Sequence, residues 1–141
     1  MELATKLGTK KVLTLAAAQH IAQAARAEAV DNGWKLVICV VDDGGYLIYL
    51  ERMDGAQLGS VQIAQDKARS AVLFKRPSKA LEEAVAGGRS VIMKLTGAIP
   101  VEGGVPIMVE GELIGAIGVS GASSSQDGQV AAAGVAVLGL P

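Results

Sequence analysis

Cysteine, histidine and aromatic residues are almost absent from this chain of 141 residues, which has one cysteine, one histidine and 3% aromatic residues. The single cysteine, Cys39, excludes an internal disulfide and a zinc site built from cysteines. Because Cys39 lies in the apolar run LVICVV, we expect it to be a small buried core residue. The single histidine, His20, excludes histidine-rich metal sites, and no nucleophile stands at a spacing that indicates a Ser-His-Asp triad.

Long apolar runs and an excess of one charge are missing as well. The longest apolar run, residues 131–140, is about half of the roughly 20 residues that a membrane-spanning helix requires. Residues 1–12 lack the apolar segment of a signal peptide. The net charge is −1, from 13 basic and 14 acidic residues, which argues against nucleic acid or an acidic membrane as a partner. The sequence therefore predicts a cytoplasmic protein.

Small aliphatic residues are abundant instead. Hydrophobic residues make up 50% of the chain, and the mean hydropathy is +0.39. A small domain exposes much of its surface, so we expect part of this apolar mass to be hidden against other subunits. We therefore predict a homo-oligomer, a dimer at least. The length is that of one domain, and we expect a flexible N-terminal arm over residues 1–12 and a single domain over residues 13–141.

Helical periodicity alternates with short β-rich runs along the chain. Helices are predicted over residues 15–32, 60–74, 79–85 and from 123 onward, and strands over residues 35–41, 46–52, 105–109 and 112–120. Residues 90–95 form a short apolar run without a decisive period, which fits either a strand or a helix. Two hairpins separated by helices predict an antiparallel sheet covered by helices.

Residues that begin and end helices stand at the edges of these segments. Thr14 and Ser60 are predicted N-caps of the first and second helices. Gly33 is a predicted C-terminal stop. Ser123 and Gln126 have the spacing of a capping box, which predicts the start of the last helix.

The strand predicted over residues 112–120 has a bulky face and a small face. It follows Glu110-Gly111, which stands where a two-residue hairpin turn belongs. The bulky face carries Leu113, Ile117 and Val119, and the small face carries Ile114, Ala116 and Gly118. Because no charged side chain follows Glu112, we expect burial on both faces, with the small face against a closely packed helix.

His20 is expected on the polar face of the first helix. At about 100° per residue, the apolar residues gather on the opposite face: Leu15, Ala18, Ile21, Ala22, Ala25 and Ala29. The pattern therefore places His20 outside the core of its own subunit.

Two charged groups have alternative explanations. The densest carboxylate group could bind a hard cation, but capping of turns and hairpin ends is the favoured interpretation; it consists of Asp42, Asp43, Glu51 and Asp54. A second group, Asp66, Lys67 and Arg69, lies on one predicted helix. We interpret it as a surface ion-pair face, which contributes little stability.

Three blocks of sequence carry a resemblance to a known family. They read VVDDGGYLIYLERMDGA, SVQIAQDKARSAVLFKRPSKALEE and PVEGGVPIMVEGELIGAIGVSGASSSQDGQVAAAG. In order and spacing they resemble the GlcG/HbpS-like family, over about residues 12–138. That family includes small proteins encoded with glycolate, diol or glycerol utilisation enzymes, an extracellular haem-binding sensor protein and the C-terminal domain of PduO-type corrinoid adenosyltransferases.

The resemblance implies a profilin-like α+β fold, with an antiparallel sheet of about five strands flanked by helices. It also implies dimers and often octamers, and haem in some members, with a histidine near the first helix as an iron ligand. His20 is the one residue here that can match that histidine. Many relatives have a second histidine after the double glycine of the first hairpin, where this chain has Tyr46. A phenolate can itself ligate ferric haem.

Three functions follow from these expectations. The favoured one is a protein that binds haem or a related tetrapyrrole such as a corrinoid between subunits, with His20 as iron ligand and Tyr46 as the second candidate. The next is an enzyme or an accessory of a corrinoid adenosyltransferase, whose small-molecule substrate lies near Glu102, Gly103 and Gly104. The third is an assembly protein without chemistry. An enzyme is not the favoured expectation.

Overall fold

An antiparallel sheet with helices on both faces forms the fold. The computed structural model describes residues 2–139. Its helices are α1 (Glu2–Thr5), α2 (Leu15–Asp31), α3 (Ser60–Leu73), α4 (Ser78–Ala86) and α5 (Ser124–Val135), with 3₁₀ helices at Ser90–Lys94 and Ala136–Gly139. Its strands are β1 (Val37–Asp42), β2 (Leu47–Arg52), β3 (Gly104–Val109) and β4 (Glu112–Ser120). The α+β class is confirmed.

The sheet has four strands within the described residues, in the order β2-β1-β4-β3, and every pairing is antiparallel. The central pair aligns Val37 of β1 with Ser120 of β4, and Asp42 with Gly115. The expectation of about five strands is therefore one too high. The ambiguous run over residues 90–95 forms the 3₁₀ helix Ser90–Lys94, since a run without a decisive period takes its conformation from its packing.

Each face of the sheet has its own core. On one face, Ile38 and Val40 of β1 and Ile117 and Val119 of β4 belong to the cluster that includes buried residues of α2 and α5. On the other face, β1 and β4 pack against small residues of α3; this cluster contains Val37, Cys39, Val41, Ala64, Ala68, Ala71 and Ala116. Cys39 is fully buried, as predicted. The two clusters place α2 and α5 on one side of the sheet and α3 on the other.

The small face of β4 lies against α3, as expected, but the assignment of its first residues is wrong. A Cβ on Gly118 would overlap the main-chain carbonyl of Ala64 in α3. The pairing of β3 with β4 shifts register between Ile107 and Met108. This irregularity places Ile114 in the cluster with Ile117, and Leu113 against the α3 cluster. An extra residue in one strand reverses the faces on either side of it.

The predicted helix caps are confirmed at α2 and α5, and wrong at α3. Thr14 Oγ1 accepts from the backbone N–H of Ala17, and Ser123 and Gln126 form the capping box. The N-cap of α3 is Gly59, without a side-chain hydrogen bond. The buried Ser60 hydroxyl instead accepts bonds from Ser120 Oγ and Gln57 Nε2, each at 3.0 Å. The tertiary contact of Ser60 thus replaces its capping role.

Gly111, the expected turn glycine, and Gly45 both have the left-handed backbone conformation that favours glycine. Gly111 has φ +80° and follows Glu110 at φ 51°, which matches the two-residue hairpin turn predicted there. Gly45 has φ +84° in the turn between β1 and β2. The positions of both hairpins are therefore confirmed.

The residues before α2 contact both hairpin turns. Lys10 Nζ lies 2.8 Å from Asp43 Oδ2, and Lys11 Nζ lies 2.8 Å from Glu110 Oε2. The backbone N–H of Lys11 also donates to Glu112 Oε2 at 3.1 Å. The division into an arm over residues 1–12 and a domain over residues 13–141 remains a prediction. None of the helices described over residues 2–139 is long and apolar enough to cross a membrane.

Candidate functional site

His20 lies on the outer face of α2 and is exposed to solvent. The inner face of this helix carries five fully buried residues, Ala18, Ile21, Ala22, Ala25 and Ala29. The helical period that buries these residues also turns His20 away from the sheet. The structure thus places His20 where the sequence predicted it, with its imidazole available to a ligand.

A shallow groove runs along the same helix just beyond His20. It has a volume of about 370 Å³ and is lined by Gln23, Arg26, Ala27, Val30 and Asp31. Residues three and seven positions apart share a helix face, so Gln23 and Ala27 continue the stripe on which His20 lies. The groove is open to solvent, and α2 supplies every lining residue.

Arg26 is the cation of this groove, and a residue of β2 fixes its position. Its Nε lies 2.8 Å from Glu51 Oε2, and its Nη2 donates to Glu51 Oε1 at 3.1 Å. Tyr49 donates its hydroxyl to the same Oε1 at 3.3 Å. The Nε atom is buried, and its contact with Glu51 is not aligned well enough to count as a hydrogen bond. Sequence reasoning missed Arg26, because the contact depends on where β2 lies beside α2.

Tyr46 lies on the other side of the sheet from His20. Tyr46 is 67% exposed at the hairpin between β1 and β2, and the Arg69 guanidinium of α3 stands 5.8 Å from the centroid of its ring. Because α2 and α3 cover opposite faces of the sheet, one chain does not bring His20 and Tyr46 to the same ligand.

The carboxylates near Tyr46 act in turns and ion pairs. Asp42 Oδ1 accepts from the backbone N–H groups of Gly44 and Tyr46, each at 2.9 Å. The hydrogen bond from Lys10 to Asp43 holds the pKa of that carboxyl below its usual value. Within residues 2–139, no group of three or more His, Cys, Asp or Glu side chains is arranged to hold a metal ion. The turn-capping interpretation therefore accounts for Asp42.

The loop Glu102-Gly103-Gly104 begins the opposite edge strand, β3. The Gly104 N–H donates to Ser78 Oγ at 2.8 Å, and the Glu102 N–H donates to Glu82 Oε1 at 3.1 Å. Both glycines are buried, and Gly103 has φ +139°. The loop thus lies away from both His20 and Tyr46, and it contacts α3, α4, α5 and β4.

Both glycines of the loop make room for Lys67 of α3. A Cβ on Gly103 would stand 2.8 Å from Lys67 Nζ, and one on Gly104 would overlap the Lys67 main-chain carbonyl. The Lys67 side chain therefore occupies space beside the loop that a small substrate would need.

Lys67 was predicted on a surface ion-pair face, and this prediction is wrong. Its side chain is 2% exposed, and Nζ donates to Val119 O and to Asp127 Oδ2, each at 3.0 Å. Asp127 Oδ1 accepts the Ala122 N–H at 2.9 Å. Burial raises the pKa of the Asp127 carboxyl, against the Ala122 N–H and the Lys67 charge, which lower it. The sequence did contain a signal for the burial of Lys67, because this residue falls on the inward-facing stripe of α3 between Ala64 and Ala71.

Comparison with known proteins assigns the chain to a family. Residues 13–136 match the sequence model of the HbpS-like family, described as haem-degrading protein HbpS-like. The chain belongs to the HbpS-like family. It is 45% identical over 112 residues to the protein GlcG of Escherichia coli strain K12, which covers 79% of this chain and 84% of GlcG.

Solved structures of this family share the fold. A double mutant of HbpS from Streptomyces reticuli superposes with a TM-score of 0.87 at 35% identity, covering 96% of this chain and 92% of that one. A PduOC–haem complex superposes with a TM-score of 0.82 at 27% identity, covering 93% of this chain and 98% of that one.

Proposed function

We propose that this protein is a small homo-oligomeric haem-binding protein in which His20 ligates the iron. The observation that carries the proposal is the exposure of its only histidine beside the groove on α2. The similarity to the PduOC–haem complex and to the HbpS-like family supports haem as the ligand. When bound, haem supplies an iron centre whose properties depend on its axial ligands.

Cys39 and Tyr46, two other side chains able to ligate haem iron, fit the role less well than His20. Cys39 is fully buried, and burial raises the pKa of its thiol to about 12, so its thiolate is scarce and inaccessible. Tyr46 is exposed and remains the second candidate. Imidazole is a common iron ligand and is neutral over much of the physiological pH range. His20 therefore combines access with suitable chemistry.

A second subunit would complete the site. The groove belongs to one helix and is open, so a single chain covers only one side of a flat macrocycle. We infer that another copy covers the other side, which places haem at a subunit boundary. The high apolar content supports assembly. We also propose that a dimer is the smallest unit and an octamer the full assembly. A cytoplasmic location and a link to glycolate, diol or glycerol metabolism are further predictions.

Titration with haemin tests the proposal. The native protein should shift the Soret band of haemin, and His20→Ala should lose the shift while sedimenting as the same oligomer. Tyr46→Phe is the matched control and should retain the shift. Loss of the shift in Tyr46→Phe, with no change in His20→Ala, would transfer the role to Tyr46. No shift in the native protein would refute haem binding. Titration with a cobalamin under the same conditions tests the corrinoid alternative.

A separate measurement tests assembly. We expect sedimentation of the native protein at micromolar concentration to give a species of at least twice the chain mass of 14.3 kDa. A species of 14.3 kDa alone would rule out the subunit-boundary site, whatever the result of the haemin titration.

A further inference from the structure

Arg26 has one side of its guanidinium engaged by the protein and another side available to a ligand. Nε and Nη2 face Glu51, which is itself held by Tyr49. No described residue accepts a hydrogen bond from Nη1, and the Arg26 side chain is 43% exposed at the wall of the groove. A guanidinium presents its donors in a rigid fork and suits carboxylates. The Arg26 guanidinium is therefore already oriented by Glu51 and can donate hydrogen bonds to a second carboxylate.

The spacing between His20 and Arg26 suits a ligand with a central metal and an acidic edge. The two residues are six positions apart on α2, which corresponds to about 9 Å along the helix axis and about a third of a turn around it. Arg26 lines the groove, and two other lining residues, Gln23 and Ala27, lie on the helix stripe of His20. Haem carries its two propionate carboxylates on one edge, away from its iron. A macrocycle that lies along the groove with its iron at His20 would bring this edge towards Arg26.

We propose that Arg26, oriented by Glu51, binds a propionate carboxylate of the haem and sets its orientation in the groove. The inference rests on the proposed function, and it specifies the ligand class as a tetrapyrrole with free carboxylates. Asp31 lines the groove farther along α2. Its negative charge repels a carboxylate at that end, which favours the position beside Arg26.

Removal of the charge on either partner tests this contact. Haemin and haemin dimethyl ester, which lacks the free carboxylates, are titrated into native protein and Arg26→Met, and affinity is read from the Soret shift. Arg26→Met should weaken haemin binding by about three- to tenfold, the range for a partly exposed charged hydrogen bond. It should leave the affinity for the ester unchanged. Asp31→Asn should tighten haemin binding and leave ester binding unchanged.

Arg52→Met is the matched control. Arg52 is exposed on the same strand as Glu51, but it pairs with Val37, whose side chain lies in the α3 cluster. Residues opposite each other in a sheet share a face, so Arg52 lies on the side away from the groove. This variant removes the same charge and should bind haemin as the native protein does.

Each remaining outcome counts against a particular claim. Unchanged haemin affinity in Arg26→Met, or equal weakening in Arg52→Met, would refute the role of Arg26 and leave His20 as the ligand. A native protein that gives no Soret shift with haemin would refute both proposals. If Arg26→Met does not fold, the two titrations of the native protein still test the inference. Weaker binding of the ester than of haemin would support it, and equal affinities would overturn it.

Discussion

Two ion pairs join helices to other parts of the fold, and they differ most in their access to water. Arg26 and Glu51 have side chains that are 43% and 17% exposed, whereas those of Lys67 and Asp127 are 2% and 3% exposed. Moving a charge out of water costs several kcal/mol per ion, which only good geometry and further hydrogen bonds offset. In the buried pair, Lys67 also donates to Val119 O, and Asp127 also accepts from the Ala122 N–H. This pair therefore serves the fold, whereas the partly exposed pair leaves Nη1 of Arg26 without an acceptor among the described residues.

The largest expected effect is on the buried pair. Lys67→Met leaves the Asp127 carboxylate buried without its counter-charge, and this should lower the free energy of unfolding by about 3–5 kcal/mol. The measurement is urea denaturation followed by circular dichroism. Lys79→Met is the control, because Lys79 is exposed on α4 and its loss should change the midpoint little.

A double variant separates charge from packing at the same position. Asp127→Asn retains an oxygen that can accept the Ala122 N–H bond but removes the charge. Lys67→Met combined with Asp127→Asn should therefore recover much of the stability lost in Lys67→Met alone. If Lys67→Met is as stable as the native protein, the buried pair does not hold the fold, and the contrast between the two pairs fails.

The stability contributions of Asp127, in the buried pair with Lys67, and of Asp43, in the surface pair with Lys10, should respond to acid in opposite directions. The folded protein holds a proton on Asp127 more strongly than the unfolded chain does, because burial raises its pKa from the ordinary value of 3.8. Its contribution to stability therefore falls as pH rises through the raised pKa, and it grows as pH falls towards 3.8. Asp43, which is half-buried and pairs with Lys10, has a lowered pKa, so its contribution is present above its ordinary pKa and is lost as pH falls through the lowered value.

Unfolding midpoints at several pH values between 7 and 3 check this second prediction. The stability of the native protein relative to Asp127→Asn should increase on acidification. The stability relative to Asp43→Asn should decrease over the lower part of that range. Parallel curves for both variants would show that burial does not dominate the titration of Asp127.

Much of the fold could be predicted because local signals agreed with the tertiary structure. Thr14 and Ser123 cap helices through neighbouring backbone groups, and Gly111 has the backbone conformation that its turn requires. Each of these depends on a few consecutive residues. The exposure of His20 was equally predictable, since it follows from the periodicity of α2 alone.

Three of the errors share one physical cause, which is a partner that is distant in sequence. Lys67 was assigned to the surface because its buried acceptor, Asp127, lies 60 positions away. Ser60 was assigned as a cap, but Ser120, also 60 positions away, engages its hydroxyl. Arg26 was missed because its orientation depends on Glu51, 25 positions along the chain. Local patterns do not show which side chain will meet which across the sheet.

The smallest expected effect on stability is at the exposed pair. Arg26→Met leaves Glu51 with the Tyr49 hydroxyl and access to water, so the free energy of unfolding should fall by less than about 1 kcal/mol. Glu51→Gln should have a similarly small effect, and both are measured by the urea denaturation used for Lys67→Met. A loss of 3 kcal/mol or more, roughly the range for a broken buried pair, would show that the buried Nε makes Arg26 structural. Its effect on haem affinity would then be indirect, and only the ester comparison on the native protein would still test the carboxylate contact.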